Sequence, residues 1–136
     1  MSKRKGPSLY KLYPGEFPDA IVYKTLQIEA DPGEVVFSVP AQNHANKRHP
    51  GDAALIIPHL AQVITDPMYV GDDTRNPGKI EFVRMIPGAG GKSALVAVTV
   101  EQDGKGEYNI CSSYLITQSE VDKKRAKGVL KNVIKN

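Results

Sequence analysis

The chain has 136 residues, of which 40% are hydrophobic and 24% charged, and its net charge is +3. These values fit one globular domain and argue against wholesale disorder. The single cysteine, Cys111, excludes an internal disulfide and a cysteine-rich zinc site. No apolar run approaches the roughly 20 residues that cross a bilayer, and no apolar signal core follows the first residues, so we expect a cytoplasmic site of action without a membrane partner.

The beginning of the chain predicts an irregular arm followed by two strands. Residues 1–18 are rich in Pro, Gly, Lys and Tyr and lack periodicity, which is typical of an N-terminal arm. Residues 20–28 and 34–39 are rich in β-branched and aromatic side chains and predict strands. A turn at residues 31–33 separates these strands, and we expect them to pair as a hairpin.

A helix interrupted by proline is predicted next. Pro50 and Gly51 break the chain, and Asp52 can cap a helix that runs to about Thr65. Pro58 lies inside the helical pattern, where it predicts a kink or two short helices. The apolar positions fall on one helical face: Ile56, Leu60, Val63 and Ile64.

The second half of the chain predicts strands. Residues 68–78 are a loop by composition, and strands follow at 79–86, 93–100 and 107–117 with short links that favour antiparallel pairing. Residues 119–136 predict a basic helix, with Ser119 as its cap, or a tail. We therefore predict an α+β fold, in which a short helix or kinked helix pair packs on a mainly antiparallel twisted β-sheet. Residues 19–118 would form the single domain.

Both ends of the chain are basic, which suits a polyanionic partner because each neutralised phosphate releases counterions. A solvated tail that improves solubility is an equal alternative. The cations in question are Lys3, Arg4, Lys5, Lys123, Lys124, Arg125, Lys127, Lys131 and Lys135.

His49 is the main candidate for chemistry. Histidine exchanges protons near neutral pH, and Lys47 and Arg48 place positive charge beside it for an anionic substrate. His44 could share this site or bond to the backbone, and a surface histidine in a loop remains an equal reading of His49. The spacing of His44, His49 and His59 matches no zinc signature, so we expect neither a metal nor a cofactor.

Ser112, Ser113 and Tyr114 form a hydroxyl triplet in the last predicted strand. Alternation along the strand would place Ser112 and Tyr114 on the face of Ile110, and Ser113 on the opposite face. Two adjacent hydroxyls can hold a phosphate oxygen or a base edge, and cross-strand hydroxyl pairing is an equal alternative. No G-x-S-x-G motif accompanies them, which argues against a serine hydrolase.

Arg84 shares strand parity with apolar residues, so its charge must find a carboxylate or border an anion site. Lys79 and Lys92 flank the same region. Although Lys92 follows a glycine-rich run, it leads into a predicted strand, which argues against a phosphate-binding P-loop.

The chain contains, in this order, a strand, the motif H-x4-H-P ending at Pro50, a helix with an internal proline, and strands that close with S-S-Y-L. This order resembles the barnase/EndoU/colicin/RelE-like nuclease superfamily. The phage-associated and polymorphic-toxin branches are the most similar, and the resemblance covers residues 35–116. It implies that His49 is a catalytic acid or base, that Arg84 or Lys79 is the strand cation, and that Ser113, with Ser112, is the strand hydroxyl.

The resemblance and the residue chemistry together predict a metal-independent, toxin-like endoribonuclease. RNA supplies its own nucleophile, the 2′-hydroxyl, so that a 2′,3′-cyclic phosphate would result. We expect the substrate RNA, whether tRNA, ribosomal or messenger, to contact His44, Lys47, Arg48, Tyr69, Lys92 and Tyr114. The family further implies an acidic immunity or antitoxin protein. The alternatives are a non-catalytic nucleic-acid-binding module and a phage particle or assembly protein.

Overall fold

The computed structural model describes residues 9–72 and 77–134. The first eight residues of the predicted arm therefore lie outside the described residues, with Lys3, Arg4 and Lys5. Lys135 and part of the predicted loop, residues 73–76, also lie outside them.

The described chain forms five α-helices and seven strands. The helices are α1 (Asp19–Leu26), α2 (Val39–Arg48), α3 (Asp52–Ile56), α4 (Leu60–Thr65) and α5 (Gln118–Ala126), with a 3-10 turn (Ile57–His59) between α3 and α4. The strands are β1 (Leu12–Glu16), β2 (Glu34–Phe37), β3 (Tyr69–Asp72), β4 (Lys79–Met85), β5 (Ser93–Thr99), β6 (Tyr108–Ile116) and β7 (Leu130–Asn132). None of the described helices is long and apolar enough to cross a bilayer.

The strands form one sheet in the order β1-β2-β6-β5-β4-β3-β7. Strands β2 and β6 are parallel, and the other neighbours are antiparallel. The three strands predicted after residue 78 are present and pair as expected. The α+β fold with a mainly antiparallel sheet is therefore confirmed.

Two apolar clusters lie on opposite faces of the sheet. The larger cluster joins α1, α2, α3 and α4 to one face through residues such as Val22, Ala45, Ile56, Val63, Phe82 and Val96. The smaller cluster joins α5 to the other face through Val83, Leu95, Ile116, Val121 and Leu130. Neighbouring residues of β4 and β5 divide between the clusters because successive strand side chains point to opposite faces.

The interrupted helix is confirmed. Helix α3 ends at Ile56, the 3-10 turn contains Pro58, and α4 then continues to Thr65. Proline lacks the N–H that a continuous helix requires, which accounts for the change of geometry. The predicted cap was wrong, since Gly51 caps α3 and Asp52 is its first residue.

The predicted strand at residues 20–28 was wrong, because residues 19–26 form α1. The apolar residues Ile21, Val22 and Leu26 fit one helical face, and this spacing prevailed over the preference of β-branched residues for strands. The partner of β2 is β1, which lies within the predicted arm. The predicted hairpin is therefore replaced by two strands joined through a helix.

The loop predicted at residues 68–78 contains strand β3, which lies between β4 and β7. Gly71 allows this pairing because a Cβ at this position would collide with the carbonyl oxygen of Val129. The C-terminal helix is present, but Thr117 caps it instead of Ser119. The Thr117 hydroxyl accepts from the N–H of Glu120, and the Glu120 carboxylate accepts from the N–H of Thr117.

Candidate active site

A pocket of about 350 Å³ lies where β6 loses its neighbour β2. The pairing of β2 with β6 involves only Val35 with Tyr108 and Val36 with Asn109. Beyond Asn109, β6 keeps β5 on one edge but has no strand of the described chain on the other, and α2 and α3 contact it. The pocket between helix and strand is lined by His44, Ala45, Arg48, His49, Ser112, Ser113 and Tyr114.

Helix α2 supplies one wall of the pocket. Ser38 caps the helix by accepting from the N–H of Ala41 at 3.2 Å. Buried Gln42 fixes the helix to the chain before it, because its Nε2 donates to the carbonyl oxygens of Phe37 and Tyr10. His44 and Arg48 are four residues apart and therefore share one helical face, which borders the pocket.

His49 lies at the junction of α2 and α3. Its N–H donates to the carbonyl oxygen of Ala45 at 2.8 Å, and its own carbonyl oxygen accepts from the N–H of Asp52 at 3.1 Å. The imidazole stacks on the Tyr114 ring, with 4.5 Å between centroids and 15° between planes. The ring is thus held at the wall of the pocket by the neighbouring strand.

A bulge in β6 determines where the serines point. Val98 pairs with Ile110 and Ala97 with Ser112, so Cys111 is an extra residue. The extra residue shifts the alternation, and Ser113 pairs with Val96 on the face covered by α1 to α4. The predicted parity was therefore wrong: Ser113 shares the face of Ile110, and Tyr114 packs against the opposite cluster.

The Ser113 hydroxyl is a buried polar group that needs a partner. The residue is 1% exposed, and its Oγ has no hydrogen-bond partner among the described residues. A buried hydroxyl without a hydrogen bond costs about 1–3 kcal/mol by mutational measures. Because Ser113 also lines the pocket, a bound ligand could supply the missing partner.

Backbone N–H groups of β6 also point away from β5, toward its other edge. The N–H of Leu115 donates to Oδ2 of Asp52 at 2.9 Å, and therefore points away from β5. Residues two apart in a strand direct their N–H groups to the same side. The N–H of Ser113 thus also points away from β5, toward the edge of β6 that has no strand neighbour in the described chain.

Arg84 and Tyr69 lie together at another site. Nη1 of Arg84 donates to the carbonyl oxygen of Asp66 at 2.8 Å and lies 3.6 Å from its Oδ2. This carboxylate is the partner that the sequence required. A second pocket of about 330 Å³ contains Arg84 and Tyr69, and Arg125 lies over the Tyr69 ring, 5.1 Å from its centroid.

The three predicted lysines lie outside the His49 pocket. Lys47 is exposed on α2, and Lys92 is exposed in the turn between β4 and β5. Lys79 begins β4, and its charge acts on Cys111. Burial raises the pKa of the Cys111 thiol, whereas the charge of Lys79 acts in the opposite direction.

Two parts of the site were missed in the sequence. Helix α2 was not predicted, although Ser38 followed by Pro40 at the second helical position is a helix-start signal. Asp52 was interpreted only as a cap, and nothing in the sequence pairs its side chain with Leu115. In residues 9–72 and 77–134, no three His, Cys, Asp or Glu side chains are grouped so as to hold a metal ion.

Comparison with known proteins gives one family. The family model described as phage-Barnase-EndoU-ColicinE5/D-RelE like nuclease 3 matches residues 14–123. No curated protein and no solved structure matched the chain. The matched residues span the sheet from β1 to β6, the pocket and most of α5. The chain therefore belongs to the phage-associated Barnase-EndoU-ColicinE5/D-RelE like nuclease family.

Proposed function

We propose that the chain is a metal-independent endoribonuclease that leaves a 2′,3′-cyclic phosphate. Membership of the nuclease family supports nucleic-acid cleavage. RNA carries its own nucleophile, so the protein must supply a base, an acid and groups that stabilise the charge on the phosphate. Side chains of all three kinds border the His49 pocket.

The observation that carries the proposal is that His44 and His49 border the same pocket. One imidazole takes the proton of the 2′-hydroxyl as the bond from O2′ to phosphorus forms. The other imidazole protonates the 5′-oxygen as the bond from phosphorus to that oxygen breaks. Each transfer by a positioned histidine contributes about 100- to 10,000-fold to the rate.

Arg48 and the strand serines complete the proposed site. A planar guanidinium can bind two phosphate oxygens at once, and Arg48 lines the pocket beside both histidines. The Ser113 hydroxyl would donate to a non-bridging oxygen and so gain the partner that it lacks among the described residues. Ser112 is the adjacent hydroxyl on the pocket wall. Arg84 and Lys79 are not included because they lie elsewhere.

The test is cleavage of total RNA by the purified chain in EDTA. His49→Ala and His44→Ala are expected to lose about 100-fold or more of the activity, with circular dichroism spectra unchanged. His59→Ala is the matched control, because His59 lies in the 3-10 turn and does not line the pocket. Full activity of His49→Ala, or cleavage that stops in EDTA, would overturn the proposal.

The chemistry of the products tests the RNA-specific step. Fragments should carry 2′,3′-cyclic phosphate ends, and a substrate with 2′-deoxyribose at the cleaved position should resist cleavage. Equal cleavage of DNA would show that the 2′-hydroxyl is not the nucleophile. Sequencing of the fragment ends would identify whether tRNA, ribosomal RNA or messenger RNA is cut.

We include in the proposal a toxin-like role and an acidic protein partner. Exposed Arg48 lines the pocket and exposed Lys47 precedes it on α2, and an acidic inhibitor would complement their positive charge. Induced production of the chain in bacteria should arrest growth, whereas production of His49→Ala should not. Arrest by both proteins would separate toxicity from RNA cleavage.

A further inference from the structure

The strand segment that lines the pocket also holds the loop that carries His49. The carboxylate of Asp52, at the start of α3, accepts the N–H of Leu115 in β6 at 2.9 Å. A hydrogen bond from a backbone N–H to an ionised carboxylate is roughly twice as strong as one between neutral groups. It joins residues 63 positions apart in the chain.

This bond reaches His49 through the main chain. The carbonyl oxygen of His49 accepts the N–H of Asp52 at 3.1 Å, and the N–H of His49 donates to α2. Between the two residues, Gly51 has a φ of +87°, a conformation that glycine adopts without strain. Fixing Asp52 to β6 therefore fixes the backbone of His49.

The imidazole itself is held by the residue next to Leu115. Tyr114 stacks on the His49 ring in a nearly parallel arrangement, 15° between planes. Consecutive residues of β6 thus hold His49 at two points, its backbone through Asp52 and its ring through Tyr114. This contact covers one face of the Tyr114 ring, so that face is not available to stack on a nucleic-acid base.

We propose that Asp52 and Tyr114 are positioning residues that hold the His49 imidazole at the pocket, so that neither needs to touch the substrate. The consequence for catalysis rests on the proposed function. Displacing a catalytic group by about 1 Å can cost on the order of 100-fold in rate. The bond requires only an oxygen acceptor at position 52, so an amide oxygen can replace the carboxylate.

The first test is an NMR measurement that does not depend on catalytic activity. The aromatic ring of Tyr114 should shift the His49 ring-proton resonances upfield in the NMR spectrum of the full chain, and Tyr114→Phe should preserve this shift. Tyr114→Leu should abolish it, and Asp52→Ala should reduce it, while Asp52→Asn retains it. Asp122→Ala, which removes an exposed carboxylate from α5, is the control.

The second test is kinetic. Asp52→Ala should lower kcat about 10- to 100-fold with little change in KM, because orientation and not binding is lost. Asp52→Asn should restore kcat to within a few-fold of the original chain. If Asp52→Ala unfolds, the Tyr114→Leu and Tyr114→Phe pair carries the same comparison.

The outcomes separate the two proposals. Unchanged His49 resonances in Asp52→Ala or in Tyr114→Leu would overturn the positioning role, whatever the activity. Equal loss of activity in Asp52→Asn and Asp52→Ala would also overturn it, since the charge and not the bond would then matter. The absence of RNA cleavage by the original chain, with the NMR shifts as expected, would refute the proposed function alone.

Discussion

Arg84 directs its guanidinium to Asp66, with Nη1 donating to the carbonyl oxygen at 2.8 Å. Arg84→Gln should therefore act on stability, lowering the free energy of unfolding by about 1 kcal/mol because the pair is partly exposed. Cleavage of RNA should stay within a few-fold of the original rate. Urea denaturation and single-turnover kinetics give the two quantities.

Arg48→Gln is the matched replacement at the pocket. Its side chain is exposed on α2, so stability should change by less than about 0.5 kcal/mol. The cleavage rate should fall about 100-fold, as for the loss of one donor to developing charge. If Arg84→Gln reduced the cleavage rate more than Arg48→Gln did, Arg84 would have the catalytic role that the sequence suggested.

His44 and His49 should act as one unit. If each transfers one of the two protons, the His44→Ala/His49→Ala double replacement should cost little more than the more damaging single replacement. Single-turnover rates of the three variants provide the comparison. Multiplicative losses would instead indicate that the two residues contribute independently.

Ser113→Ala should separate stability from function. Removing a buried hydroxyl without a partner in the described chain should leave the free energy of unfolding unchanged or raise it by about 1 kcal/mol. Cleavage should nevertheless fall, since the phosphate loses a donor. Ser93→Ala, at a buried serine of β5 outside the pocket, should leave cleavage unchanged.

The cap of α5 predicts a dependence of stability on pH. Hydrogen bonding from the Thr117 backbone lowers the pKa of Glu120 below its usual 4.5. Because the folded pKa is below the unfolded one, the ionised carboxylate stabilises the fold above about pH 4.5. This contribution is lost as the pH falls through the folded pKa, and it is modest because Glu120 is exposed.

Thermal unfolding from pH 7 to pH 3 measures this effect. Glu120→Gln should show a weaker loss of stability on acidification than the original chain. Thr117→Ala should cost about 1 kcal/mol at neutral pH, as expected for loss of a helix cap. An identical pH dependence in Glu120→Gln would assign the acid sensitivity to other carboxylates.

The sequence predicted the parts of the fold that have strong local signals. Pro58 indicated the interrupted helix, and the short links after residue 78 indicated antiparallel strands. Local preference failed in the predicted strand at residues 20–28, where residues 19–26 form a helix, and at Gly71, which lies in a strand. At Gly71 the neighbouring strands outweighed composition, and at residues 19–26 the helical spacing of the apolar residues outweighed their preference for strands.

The sequence indicated some of the residues that lie together in the structure, but not how they are arranged. His49, Ser112 and Ser113 are close together as expected, and Arg84 is not with them. The bulge in β6 at Cys111 reverses the strand alternation. No residue type in that part of the sequence predicts a bulge. The Asp52 contact with Leu115 joins distant parts of the chain, which periodicity and spacing do not report.

The brief pairing of β2 with β6 has a consequence for how the sheet is held together. With two residue pairs between them, the β1–β2 ribbon depends on side chains for its attachment, including the Phe17 ring stacked on Tyr108 at 4.1 Å. A longer ladder would make that joint stronger, but it would bury the strand edge on which Ser113 lies. Beyond these two residue pairs, β2 and β6 form no sheet hydrogen bonds in the described chain, and the backbone of β6 on that edge faces the cavity.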